Sequence, residues 1–319
     1  MKIGIVGNGM IVEVFLRDVA LVEHAEIVSL CVRLQSLEKG QKIAAEHHIP
    51  SVKTDYDIFL NNSEIETVYV GISNLMHHAY AKKALLAGKH VILEKPFTVN
   101  AVEAKELVSI AREKKLFLWE AFMMPYLPTY PAIKTAVSKV GNVKLVHSNY
   151  SKISSRYAQY LNGVILPAFD FSLAGGALYD LNIYNLHLMI GLFGKPKVAH
   201  YYPTYGYNGV DTSGVAVLEY DNFHAVCCAA KDSSGPLGFV IQGDEGTLMG
   251  KDAANTLSKI VFADKNGETL IAEYDGKNKL SYEIREFIRQ FESGDYESCR
   301  KMLEHSVAVA EVVDELLAI

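Results

Sequence analysis

From Met1 to Trp119 the chain alternates short runs that are apolar along their whole length with stretches of amphipathic helical period, and few folds accept that pattern. The strand-like runs are Lys2–Val6, Ile27–Val32, Thr67–Val70, His90–Leu93 and Leu116–Trp119. Between them lie helical patterns over Ile11–Val22, Leu37–His47, Tyr56–Asn61, Met76–Ala87 and Ala101–Lys114. A strand with one wet face alternates apolar with polar residues. These do not, so both faces of their sheet must be covered, as in a parallel sheet with helices on each side. Gly88 closes the helix before His90 as a left-handed cap would. The expected architecture is a doubly wound α/β domain over residues 1–120.

The grammar changes after Pro125 and Pro128. Strand candidates now follow one another: Val143–Ile153, Val198–Thr204, Gly214–Tyr220, His224–Ala230, Gly238–Gln242, Ser258–Ala263 and Thr269–Tyr274. Tyr220-Asp221-Asn222-Phe223 and Asp264-Lys265-Asn266-Gly267 read as turns between antiparallel neighbours. A helix is expected over Tyr179–Ile190, and two more, Tyr282–Glu292 and Cys299–Leu317, close the chain. Residues 121–319 thus read as an α+β domain with a largely antiparallel, open sheet. Two domains suit a chain of 319 residues.

Charge and cysteine usage narrow the function classes. Lys and Arg number 31 against 37 Asp and Glu, a formal charge of −6, which excludes binding to nucleic acid through a generic basic stripe. No apolar stretch has the length of a membrane helix. The apolar run after Lys2 is broken by Asn8 and Gly9 and followed by Glu13, Arg17 and Asp18, unlike a signal peptide. Cys31, Cys227, Cys228 and Cys299 form no CxxC pair, so a reducing cytoplasm is the expected location. His47-His48 and His77-His78 are adjacent pairs without the spacing of helical metal ligands, and no metal is expected.

The first strand runs into Gly7-Asn8-Gly9-Met10-Ile11-Val12 and then a helix. Gly7 permits a tight turn, and Gly9 lets backbone amides approach a pyrophosphate at the helix's positive end. Val12 stands where a third glycine would allow close helix–strand packing, so the helix is expected to sit further out or to turn another way. The competing reading is an ordinary strand-to-helix turn. The second strand ends in Cys31-Val32-Arg33 with no carboxylate to grip a ribose 2′-hydroxyl. Arg33 suits a 2′-phosphate instead, so NADP rather than NAD is the expected cofactor, unless Arg33 is merely a solvated charge.

Gly88-Lys89-His90-Val91-Ile92-Leu93-Glu94-Lys95-Pro96 resembles an element of the Gfo/Idh/MocA oxidoreductase family. The resemblance spans nearly the whole chain through Ser73-Asn74-Leu75-Met76-His77, Trp119-Glu120-Ala121-Phe122 and Gly175-Gly176-Ala177-Leu178-Tyr179-Asp180-Leu181-Asn182-Ile183-Tyr184. Within the family it is most similar to the dihydrodiol dehydrogenase branch, which has Tyr where inositol dehydrogenases have His. It implies an N-terminal Rossmann domain, a cis bond before Pro96, and a C-terminal sheet that forms a homodimer or homotetramer. It further implies a catalytic set of Lys95, Asp180 and Tyr184. Gly7, Gly9, Met10, Ile11, Arg33, Ser73, Asn74, His77, Glu94 and Lys95 would line NADP or NAD. Asp180, Tyr184 and His187 follow an i, i+4, i+7 spacing that places them on one face of a helix, and Gly175-Gly176 would let the chain approach a cofactor. His187 is a possible substrate contact or an ordinary half-buried residue.

The implied chemistry is reversible hydride transfer between the nicotinamide and an alcohol or carbonyl carbon of a sugar, cyclic polyol, dihydrodiol or related small molecule. A phenol with a reference pKa of about 10 needs a cationic neighbour to act as a base near neutrality. Lys95 is the candidate neighbour for Tyr184, and Lys95 could instead carry the proton itself. Ser73 replaces a family proline, Pro125 stands where relatives carry an arginine, and Asn182 adds bulk where glycine is frequent. The loss of that arginine and of the third glycine, at Val12, sustains a second reading: a non-catalytic dinucleotide-binding sensor on the same fold. Tyr201, Tyr202, Tyr205 and Tyr207 could stack on a ring substrate or serve a strand edge or dimer interface.

Overall fold

A computed structural model describes residues 1–318. The first part of the chain forms β1 (Lys2–Val6), α1 (Met10–Val19), β2 (Glu26–Cys31), α2 (Leu37–Glu46), β3 (Val52–Lys53) and α3 (Tyr56–Leu60). It continues through β4 (Thr67–Val70), α4 (His77–Leu86), β5 (His90–Glu94), α5 (Ala101–Lys114) and β6 (Leu118–Ala121). Then come α6 (Tyr130–Ala136), β7 (Val143–Ser151), α7 (Tyr157–Leu161), α8 (Ile183–Phe193), β8 (Val198–Tyr205), β9 (Asp211–Glu219) and β10 (His224–Ala230). The chain ends with β11 (Gly238–Gly243), β12 (Thr247–Gly250), β13 (Lys259–Asp264), β14 (Gly267–Glu273), α9 (Lys279–Ser293) and α10 (Tyr296–Leu317).

Contacts divide the chain into two compact units, Met1–Ala121 with Asn278–Val307, and Phe122–Lys277 with the stretch from Ala308. The first contains a six-stranded sheet in the order β3-β2-β1-β4-β5-β6. Every pairing in it is parallel. The central strands are buried on both faces, as their unbroken apolar sequence demands. Burying each such Ile, Val or Leu contributes about 1.5–3 kcal/mol. The strand expected at Leu116 begins two residues later for a local reason. Lys115 adopts a left-handed conformation (φ 53°) and Leu116 N–H bonds Ala111 O, so both are spent on closing α5. The stretch Asn278–Val307 joins this unit through α9, whose Phe287 ring stacks on Trp119 at 5.2 Å and whose Gln290 accepts the indole N–H at 2.8 Å. That assigns to the first unit a segment the sequence reading placed beyond residue 120.

The second unit is built on an eight-stranded sheet in the order β14-β13-β12-β11-β7-β10-β9-β8. Its pairings are antiparallel except β7–β10. β9 alternates half-buried with buried residues along its whole length, which marks one packed face and one open face. α8 covers the packed face. Asn182 donates to Cys227 O at 3.0 Å, and Asn185 donates to Cys228 O at 3.0 Å and accepts from Ser148 Oγ at 2.8 Å. Asn182 is thus wholly buried against β10 instead of adding bulk beside an open site. The sequence reading missed β12 because Gly246 and Gly250 flank it. A Cβ at either would strike an aromatic ring, Phe262 at 2.4 Å or Phe239 at 2.3 Å, so these glycines make room for packing rather than for a turn. No helix among the described residues is long and apolar enough to cross a membrane.

Candidate active site

The dinucleotide end is set by two close approaches and one open position. Gly7 has φ 117°, and a Cβ there would lie 2.2 Å from Gly71 O, so no other residue fits. Val12, in place of the third glycine, is buried, and a Cβ on Gly71 would come within 3.0 Å of it. The glycine absent from the helix is supplied by the end of β4, so α1 keeps its approach to the sheet. Gly9 differs: its φ is −79°, and a Cβ would meet nothing within 4 Å. Nothing inside the chain calls for glycine there, and the open space above the first turn of α1 suits a pyrophosphate on the backbone amides. Met10 is exposed and Ile11 half-buried beside it. Arg33 is exposed at the tip of β2, Ser73 and Asn74 are half-buried after β4, and the Lys95–Pro96 bond is cis.

Two of the expected cofactor residues turn inward. His77 is fully buried, with Nδ1 2.8 Å from Pro96 O and Nε2 3.2 Å from Ile72 O. Burial lowers its pKa against the pull of those carbonyls. It braces the Lys95–Pro96 turn against the turn after β4 instead of lining an open cradle. Glu94 accepts from Tyr69 Oη at 2.7 Å and from Lys95 N–H at 3.2 Å, and desolvation pushes its pKa up to about 7. Lys95, half-buried at the carboxyl end of β5, is where ligands meet an open α/β sheet.

In the second unit, residues Leu178–Asn182 form a π turn that leads into α8. The wider turn breaks the expected i, i+4 alignment of Asp180 with Tyr184, and only Tyr184 and His187 share a regular helical face. Asp180 keeps 36% of its side chain exposed, while Tyr184 is 8% exposed with its ring 5.8 Å from that of Tyr150. His187 is no substrate contact: it is 1% exposed and stacks on Phe122 at 4.1 Å. Gly175 and Gly176 also serve the chain itself. A Cβ on Gly176 would overlap the Asp211 carboxylate, and one on Gly175 would press on Pro167 O at 2.5 Å. Of the tyrosines after α8, Tyr201 is bonded inward to Asp211 at 2.6 Å, while Tyr202, Tyr205 and Tyr207 are exposed.

Sequence reasoning missed Asp211 and Lys231. Asp211 accepts from Leu178 N–H at 2.7 Å and so anchors the start of the π turn; burial raises its pKa. Lys231, 1% exposed, pairs with Asp180 at 2.8 Å. Neither carries a local motif, and an unbroken apolar strand ending in a lysine, Ala225–Lys231, was the only available signal.

Residues 1–122 match the model of the oxidoreductase family with an NAD-binding Rossmann fold, and residues 137–249 match the Gfo/Idh/MocA C-terminal domain. A scyllo-inositol 2-dehydrogenase (NADP(+)) of Bacillus subtilis is 30% identical over 99% of this chain and 95% of its own. The chain belongs to the Gfo/Idh/MocA oxidoreductase family. A trans-1,2-dihydrobenzene-1,2-diol dehydrogenase of Bos taurus is 26% identical over 99% of this chain and 96% of its own. Among solved structures, a 3-ketoreductase from Actinomadura kijaniata in complex with NADP and TDP-benzene superposes with a TM-score of 0.87 at 19% identity, covering 99% and 96% of the two chains. That likeness fixes the fold of this family member.

Proposed function

We propose that the protein is an NADP-dependent dehydrogenase or reductase acting on a CH–OH or carbonyl carbon of a cyclic polyol, sugar or dihydrodiol. The observation that carries this reading is Asp180 in the second unit, half-exposed yet held by a buried ammonium. A pure sensor has no need to keep such a charge. Kinship over nearly full length with an inositol dehydrogenase and a dihydrodiol dehydrogenase supports the substrate class. NADP supplies and accepts the hydride when bound. Gly7, Gly9, Met10, Ile11, Ser73 and Asn74 hold the dinucleotide, Arg33 its 2′-phosphate, and Glu94 and His77 keep the Lys95 turn in place. In the catalytic set Lys95, Asp180 and Tyr184, the Lys95 ammonium stabilises the developing alkoxide and Tyr184 exchanges the proton with the substrate oxygen. Asp180 orients the reacting groups.

Residues 1–120, joined by Asn278–Val307, act as the dinucleotide-binding domain, and the remainder of 121–319 as the substrate-binding and dimerisation domain. The open sheet face, half-buried and apolar at Val215, Val217, Val226 and Val240, supports a homodimer or homotetramer. Four free cysteines, three of them buried, suit a cytoplasmic setting. The test is single-turnover hydride transfer, from NADPH or NADH to inosose and keto-sugar substrates and from a dihydrodiol to NADP+ or NAD+. Lys95→Met and Tyr184→Phe should each slow the step by about 10²-fold or more, and NADPH should bind more tightly than NADH. Near-normal transfer in both variants overturns the catalytic assignment.

A further inference from the structure

We infer that Lys231 is a positioning residue for the reaction, a buried cation that fixes the Asp180 carboxylate and ties the π turn to the loop before it. This rests on the role proposed for Asp180. Lys231 follows the last residue of β10, and its main chain is held on both sides: N–H bonds Thr212 O at 2.8 Å, and its carbonyl accepts from Ser154 N–H at 2.9 Å. Its Nζ reaches Asp180 Oδ2 at 2.8 Å, donates to Ala168 O, and lies 4.6 Å from the centre of the Phe169 ring. The side chain is 1% exposed, so it touches nothing outside the chain, whereas Asp180 is 36% exposed. The carboxylate is therefore clamped from behind and open in front.

Stability alone is a weak reason for this arrangement. Burying an ammonium costs several kcal/mol, and exchanging a buried pair for apolar residues is often neutral or stabilising. Ala168 O would be served as well by a neutral donor. What a fixed cation adds is a carboxylate held in one position by charge as well as by a hydrogen bond. The same turn is anchored at its other end by Asp211, on Leu178 N–H and Tyr201 Oη. Leu178 and Asp180, two residues apart, are thus bound to separate strands, β9 and the end of β10.

The test is a double-mutant cycle in the full-length protein with Asp180→Asn, Lys231→Gln and their combination, read by kcat, KM and NADPH affinity on the most active compound of the substrate set above. Lys231→Gln should lower kcat by about 10- to 50-fold with NADPH affinity unchanged. In the Asp180→Asn background the same change should cost less than about twofold, because its partner is already gone. An unchanged kcat in Lys231→Gln, or an equal cost in both backgrounds, overturns the inference. Wild-type kcat in Asp180→Asn instead overturns the role of Asp180 itself. Should Lys231→Gln fail to fold, Lys231→Met, of similar length and apolar, enters the same cycle with the same expected outcome.

Discussion

The second unit matches its acids with a cation or donors, whereas the first also buries one acid, Glu283, among other acids. In the second, Asp180 meets the Lys231 ammonium and Asp211 accepts two hydrogen bonds, so each carboxylate is met by a donor. In the first, the buried Asp18, Glu94 and Glu120 have donors of their own, Arg17 at 2.8 Å, Tyr69 Oη at 2.7 Å and Phe97 N–H at 2.9 Å, but all three repel the buried Glu283. Glu283 Oε2 has no hydrogen-bond partner among the described residues. Desolvation, reinforced by Glu94, Asp18 and Glu120, pushes the Glu283 pKa well up. The donor-matched acids are held in place, whereas Glu283 is pushed towards its protonated form. The difference teaches that a buried acid is a positioned ion only where the fold also buries its cation or donors.

The largest effect should come from removing a donor-matched acid. Asp211→Ala strands Leu178 N–H and the Tyr201 hydroxyl inside the fold, which costs about 3–5 kcal/mol. Asp211→Asn, which keeps an acceptor for Leu178, should lose about half as much. Urea unfolding followed by circular dichroism reads both. A loss below about 1 kcal/mol in Asp211→Ala would mean the turn is held by other contacts.

The first unit predicts the reverse sign. Glu283 has a folded pKa above its unfolded one, so the folded state binds the extra proton, and stability falls as pH climbs from about 4.3 towards the folded value. Glu283→Gln, a neutral isostere, should therefore be stabilising, by about 1–2 kcal/mol and a few degrees in Tm at pH 8. The gain should shrink towards zero near pH 3, about a unit below the unfolded value, where both states carry the proton. Thermal melts of the two proteins from about pH 3 to pH 8 test this. A difference independent of pH would show that Glu283 is ionised in the folded protein.

This contrast also explains what the sequence made legible. The parallel sheet was readable because β1, β4 and β5 are apolar at every position, which only double-sided burial explains. Lys95, Asp180 and Tyr184 enter as candidates through motif resemblance alone, whereas Gly7 was readable from the turn it opens. What escaped is what distance in the chain conceals. Asp180 and Lys231 are 51 positions apart, and Leu178 and Asp211 are 33 apart, with no period linking them. Val12 was read as a loosened helix because its compensation, Gly71, lies on another strand's exit. Gly175-Gly176 was read as an approach to a cofactor because a glycine pair does not reveal whether its neighbour is a ligand or the Asp211 carboxylate.

Gly9 makes that last ambiguity testable, with the smallest effect on stability. At Gly7, Gly71 and Gly176 an added Cβ collides with the chain, so alanine there would cost folding energy whatever the protein binds. At Gly9 it meets nothing within 4 Å, and the backbone sits at φ −79°, ψ 177°, which alanine adopts without strain. Gly9→Ala should therefore leave unfolding free energy within about 0.5 kcal/mol of wild type. Its NADPH affinity, read by fluorescence titration, should nonetheless fall by about tenfold or more, because a methyl group would occupy the space a pyrophosphate needs. Unchanged affinity would mean that Gly9 belongs to an ordinary strand-to-helix turn and that the phosphates are held elsewhere. A large loss of stability would mean that the open space above α1 is filled by the chain itself in solution.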